Sequence, residues 1–197
     1  GAARQSFVAL FFNSSTSFVA GAVLGSLIGT FNDLPGLLVM IPAAIGLRGN
    51  VFGSMGNRLS TAIHTGTFRA SFRKESVLRQ NVTASLSLTI VLSFLLALLT
   101  KIVAVSFGIS NSIGVLDMAV ISVLGGMLAS LVVGASTVVL AVLSVRREWD
   151  LDNLVAPTTA TLGDVVTIPS LFLASRLVTN SSATAIAGWA TLLLSLL

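Results

Sequence analysis

Asp164 stands between two uncharged runs, residues 153–163 and 165–175, with eleven residues in each. On a helix that rises 1.5 Å per residue, each run spans about 16 Å, roughly half of a hydrocarbon core about 30 Å thick. Leaving a carboxylate ionised and alone at that depth costs about 2.5–3.5 kcal/mol even on lenient insertion scales. The group must therefore be protonated, paired or bound to a cation. Pro157, Thr161 and Asp164 follow one another at i, i+4 and i+7, one face of a helix. Ile168 continues the stripe, and Thr158 and Thr167 flank it. That face offers a carboxylate, hydroxyls and the carbonyl freed by Pro157, which has no N–H to bond it. These are hard oxygen donors, suited to Mg²⁺, Ca²⁺ or Mn²⁺. Mg²⁺ gives up water reluctantly, so one or two carboxylates meeting a partly hydrated ion is the expected geometry. A two-fold dimer would bring two such carboxylates to an axial pore. Proton relay and a plain hydrogen bond to a neighbouring helix are the other roles open to this acid.

A second group of oxygen donors lies in residues 42–61. Gly46, Gly49, Gly53 and Gly56 fall within eleven residues and weaken a helix. They also let carbonyls face an ion, and Asn50 and Asn57 add amide oxygens. Arg48 and Arg58 in the same stretch are expected to reach phosphates or water at a membrane surface. All four prolines fall in two places, Pro35 and Pro42 in this region and Pro157 and Pro169 around Asp164. Interrupted helices at membrane depth survive where protein or a water-filled cavity satisfies their backbone, and paired interruptions point to a transport site.

The elements that must carry these residues are membrane helices. The chain has 197 residues, 54% apolar and only 9% charged, with mean hydropathy +0.99. Eighteen charged side chains cannot cover the surface of a soluble globule of this size. A disordered chain and a nucleic-acid module are excluded on the same ground. Apolar stretches predict spans near 6–29, 34–66, 82–108, 118–145 and 153–175. Residues 183–197 are a short sixth candidate. The expected architecture is all-α, a polytopic transmembrane bundle of five to six spans with a broken second segment and a proline-interrupted fifth. Residues 1–197 read as a single transmembrane transport domain. The chain opens Gly1-Ala2-Ala3-Arg4 without Met, as a processed or truncated chain would.

Seven basic residues (Arg4, Arg69, Arg73, Lys74, Arg79, Arg146 and Arg147) fall on one side of these spans, and Arg176 falls on the other. The positive-inside rule then predicts a cytoplasmic N-terminus and an integral, multi-pass protein of the cell membrane, in contact with its lipids. Lys101, near the far end of the third span, is expected to snorkel. Gly21-Gly25-Gly29 and Gly126-Ser130-Gly134 are small-residue faces for close helix packing or dimer contact. The polar run 13–17 in the first span is expected to bond another helix, with pore lining as the other reading. His64 is expected at an interface, and Asp150 and Asp152 at a solvated helix start or an ion exit. With no cysteine, one histidine and no hydrolase motif, enzymatic chemistry is not expected.

Two stretches resemble the membrane domain of the MgtE family of magnesium transporters, in particular its single-repeat archaeal and solute-carrier relatives. Pro42 through Thr61, with Gly49-Asn50 at its centre, resembles the family's proline followed by a Gly-Asn-x-Gly pattern. Asp152-Asn153, Pro157, Thr158-Thr159 and Asp164 resemble the Asp-Asn, Pro, Thr-Thr-x-x-Asp pattern of its last conserved helix. The resemblance implies a homodimer with a pore along its axis, lined by the second and fifth helices. It puts Asp164 on the central ion-binding aspartate, with Gly49 and Asn50 where the pore narrows. Asn57 stands where many bacterial members have Gln. No counterpart of the bacterial regulatory domains occurs in the sequence, and eukaryotic relatives carry two tandem repeats where this chain has one. The expected function is a channel or transporter for divalent cations, Mg²⁺ first, with Asp164, Thr161, Asn50, Gly49, Asn57 and Pro157 as its ion-binding residues. The alternatives are a Na⁺- or H⁺-coupled divalent cation exchanger and a membrane scaffold subunit that transports nothing. Nucleic acid is not among the expected partners.

Overall fold

The computed structural model describes residues 2–32, 34, 36–109, 112–147 and 149–179. Five helices follow in order: α1 (Ala2–Asn32), α2 (Leu37–His64), α3 (Val77–Ser106), α4 (Val115–Arg147) and α5 (Leu151–Thr179). Among the described residues, α2, α3, α4 and the stretch Leu154–Val178 of α5 are long and apolar enough to cross a membrane. The apolar stretch identified in α1, Ser14–Gly29, is shorter. The expected sixth span, 183–197, lies outside the described residues, as do Asp33 and Pro35.

The second segment is one continuous helix, which corrects the expectation of a break. Pro42 is the sixth residue of α2, just past the first turn, where N–H groups lack helical partners anyway, so it removes a single backbone bond. The four glycines all stay helical, although only at Gly53 and Gly56 would an added Cβ meet a neighbour within 4 Å. A Cβ at Gly56 would collide with the Val155 side chain. The fifth segment is likewise one helix through Pro157 and Pro169.

Chain reversals have local causes. Gly66 and Gly108 adopt φ of 69° and 76° just beyond α2 and α3, a left-handed conformation that glycine takes without a side-chain penalty. Ser76 caps α3 by accepting the Arg79 N–H at 3.2 Å. Lys101 reaches from the last part of α3 toward the α3–α4 loop. Its Nζ donates to the Ser112 carbonyl at 2.9 Å, the Ser112 hydroxyl at 2.6 Å and the Ile113 carbonyl at 3.0 Å. It ties the end of α3 to the approach of α4 through three oxygens within reach of its ammonium.

Helices α2 to α5 form the body of the bundle, and α1 lies along α5 with little contact to α2. Two apolar clusters fill the body. One joins Leu37, Met40 and Ile41 to Met118, Ile121, Ile168 and Leu171. The other joins Phe52, Met55 and Leu59 to Leu78, Val133, Leu151 and Val155. Exposed Leu95, Leu99, Ile102, Leu128, Leu131 and Val139 present an apolar exterior on α3 and α4, as lipid requires. The small face of α4 works as expected. Gly134 lets Phe52 approach, and Ser130 hydrogen-bonds Thr89 at 3.1 Å. The small face of α1 is different, since among the described residues nothing lies within 4 Å of a Cβ added at Gly21, Gly25 or Gly29.

Candidate cation site and its relatives

Helices α2 and α5 run antiparallel with a register set by close contacts. A Cβ at Gly163 would lie 3.7 Å from the Arg48 Cβ and 3.9 Å from the Gly49 nitrogen. One at Gly53 would lie 3.9 Å from the Thr159 hydroxyl, and Gly56 abuts Val155. Asp164, next to Gly163, therefore sits at the depth of Arg48, and Thr161 lies nearer the level of Asn50.

Asp164 is partly buried, and its Oδ2 accepts a hydrogen bond from the Ser17 hydroxyl of α1 at 3.0 Å. One turn away, Thr161 Oγ1 accepts from the Thr16 hydroxyl at 3.2 Å. The polar run of α1 thus bonds another helix, as expected, and it does so on the two α5 residues whose spacing suggested a cation site. Carboxylate and hydroxyls converge there as hard oxygen donors.

The other expected ligands are spread over α2. Gly49 backs onto Gly163, and Asn50 and Asn57 are exposed. Asn50 lines a hollow of about 330 Å³ with Ala43, Gly46, Leu47, Val51 and Leu92. Among the described residues no hydrogen bond links Asn50 or Asn57 to Asp164. Pro157 is partly buried, one turn before Thr161 on α5. Asn50, Ser54, Asn57 and Thr61 form an exposed polar stripe at spacings of four, three and four residues, down a helix long enough to span.

Arg48 corrects a second expectation. It lies at no membrane surface; it is fully buried between the two apolar clusters. Its Nη2 donates to the Ser93 hydroxyl at 3.1 Å, and among the described residues Nε and Nη1 have no hydrogen-bond partner. The Ser122 hydroxyl bonds the Ser93 carbonyl at 2.7 Å. Gly126 gives the guanidinium its room, since a Cβ there would collide with Nη2 and lie 2.6 Å from the Ser93 hydroxyl. The sequence carried a signal for this. Ile41, Ala44, Arg48, Phe52, Met55 and Leu59 recur at three- and four-residue steps, the buried face of a helix.

A family model described as a divalent cation transporter, MgtE, matches residues 41–174. The chain belongs to the MgtE family. That span holds α2 to α5 almost entirely, including both stretches that carry the resemblance. Among curated relatives, solute carrier family 41 member 2 of Xenopus laevis is 29% identical over 145 residues, covering 72% of this chain and 25% of its own. Member 3 of Rattus norvegicus is 27% identical over 146 residues, covering 74% of this chain and 32% of its own. Member 2 of Homo sapiens is 28% identical over 146 residues, covering 72% and 25%. The chain thus spans only a quarter to a third of the length of these relatives. No solved structure matches it. MgtE proteins are transporters, in keeping with the sequence reading that found no enzyme.

Proposed function

We propose that this chain is the membrane domain of a divalent cation transporter with Mg²⁺ as its first cargo, working as a homodimer with Asp164 as the ion-binding carboxylate. The observation that carries the reading is Asp164 itself. It is an acid midway along a span, met by a serine hydroxyl, at the same depth as an arginine that bonds elsewhere. A passing dication supplies the charge that the carboxylate needs. Thr161 and water still bound to the ion complete an oxygen shell in keeping with the reluctance of Mg²⁺ to dehydrate.

The dimer follows from α2. Lipid gives no hydrogen bonds to an exposed Asn50, Ser54, Asn57 and Thr61, whereas a second copy of the stripe and a file of hydrated ions would. Gly49, Asn50 and Asn57 then face the axis, and the Asn153 carbonyl freed by Pro157 lies farther along α5. Loop α2–α3 and the α4–α5 link share one end of the bundle, which gathers Arg69, Arg73, Lys74, Arg146 and Arg147 there. We assign that end to the cytoplasm of the cell membrane.

Mg²⁺ flux into liposomes tests the reading, with wild type beside Asp164→Asn, an isostere without the charge. Wild type conducts under membrane potential alone and the variant does not. Equal flux in both overturns the site. Flux that requires an opposing Na⁺ or H⁺ gradient makes the protein an exchanger, and no flux in either makes it a scaffold.

A further inference from the structure

At the end of the bundle where α2 stops and α5 starts, three side chains outside the proposed ion-binding residues come together. His64 is in the last turn of α2, Asp150 precedes α5, and Asp152 is in its first turn. One ring nitrogen of His64 and one oxygen of each carboxylate lie within 4.8 Å of one another, and all three residues are exposed. The histidine is set up for ligation. Its Nδ1 lies 2.9 Å from the Ser60 carbonyl, which can only accept, so Nδ1 carries the proton and Nε2 keeps its lone pair. A backbone carbonyl on the other ring nitrogen is the usual way a metal-binding imidazole is oriented. Asp150 accepts the Asp152 N–H at 3.1 Å, which fixes the two carboxylates relative to each other at the helix start. Nearby, the Arg147 guanidinium stacks on Trp149 at 5.1 Å.

We propose that His64, Asp150 and Asp152 form a binding site for a borderline transition-metal dication of the Zn²⁺ class, separate from the Asp164 site. One imidazole and two carboxylates are a donor set for Zn²⁺ and its neighbours, whereas Mg²⁺ and Ca²⁺ take oxygen alone. Bonds of about 2.0–2.2 Å at tetrahedral angles put ligand atoms about 3.4 Å apart, so the three close by little more than about an ångström, within the reach of exposed side chains. A bound ion clamps the end of α2 to the start of α5, the two helices that carry the candidate transport residues. The site is independent of transport and holds whether or not the protein conducts Mg²⁺.

The chain has one histidine and no cysteine, so imidazole-dependent binding has a single possible source. The experiment is equilibrium dialysis of tag-free protein in detergent against Zn²⁺ in a large excess of Mg²⁺, with thermal unfolding alongside. One Zn²⁺ binds per chain and raises the unfolding temperature. His64→Ala and Asp152→Asn each weaken binding at least about tenfold, the lower end of what even an outer-shell change costs. Asp150→Asn does the same while keeping the helix cap, since Asn caps as well as Asp. Asp117→Asn, at the opposite end, changes nothing. Equal Zn²⁺ affinity in wild type and His64→Ala overturns the proposal, as does displacement of Zn²⁺ by an equal concentration of Mg²⁺.

Discussion

Asp164 and Arg48 share a depth in the bundle but not an environment. The acid lies partly exposed between α5 and α1, bonded by a serine hydroxyl. The base is sealed among α2, α3, α4 and α5, with one hydrogen bond to Ser93 and two nitrogens unmatched among the described residues. On the proposed reading, the charge that meets an ion is left reachable and lightly held. A charge that is walled in can act on that ion only through its field. Opposite charges on adjacent helices have not collapsed into a salt bridge, and the acid stays available. The difference teaches that depth alone does not say which charged residue is the site; access does.

The largest break in this contrast comes from Asp164→Asn. On the proposed reading this removes the charge that meets the ion, and Mg²⁺ flux falls about a hundredfold, about 2.8 kcal/mol, while helix content and elution volume stay unchanged. Gly126→Val acts on the other partner. Its side chain collides with the guanidinium, so the detergent-solubilised protein loses about 1–3 kcal/mol by chemical denaturation. Ser93→Ala strips Arg48 of its hydrogen bond and costs about 1–3 kcal/mol by the same measurement, and Arg48→Met in that background restores the loss because no buried charge is left unmatched. Ser17→Ala has the smallest effect. A hydrogen bond between membrane helices averages about 0.6 kcal/mol, so flux changes roughly threefold in liposomes, a direct measure of how firmly α1 holds the acid. If Ser17→Ala matched Asp164→Asn in effect, α1 would have to be counted as part of the binding group.

The sequence made α2 to α5 legible to within a few residues, because uninterrupted apolar length is a strong signal when charges are so few. That Asp164 and Thr161 share one face of α5 was legible from their spacing, and both meet α1. Arg48 was misread. Its glycine neighbours suggested a broken backbone, and the buried periodicity from Ile41 to Leu59 was the better guide to its place. At Gly56 the close approach of Val155 shows why no larger residue fits, a tertiary effect that no local rule contains. The bond from Ser17 to Asp164 joins residues 147 positions apart, so the polar run could be expected to find a helix but not which one. The meeting of His64 with Asp150 and Asp152 has the same cause, because it depends on the antiparallel register of α2 and α5.

The pairing of α1 with α5 sets an order for biogenesis. A ribosome delivers Thr16 and Ser17 to the membrane before any part of α5 exists, while α2, α3 and α4 can begin to assemble as they emerge. The hydroxyls of α1 must wait for their carboxylate, and Gly21, Gly25 and Gly29 meet nothing among the described residues meanwhile. The corner where α1 meets Asp164 is therefore completed after translation has passed α5, and a newly made chain acquires it only once these two distant helices have found each other.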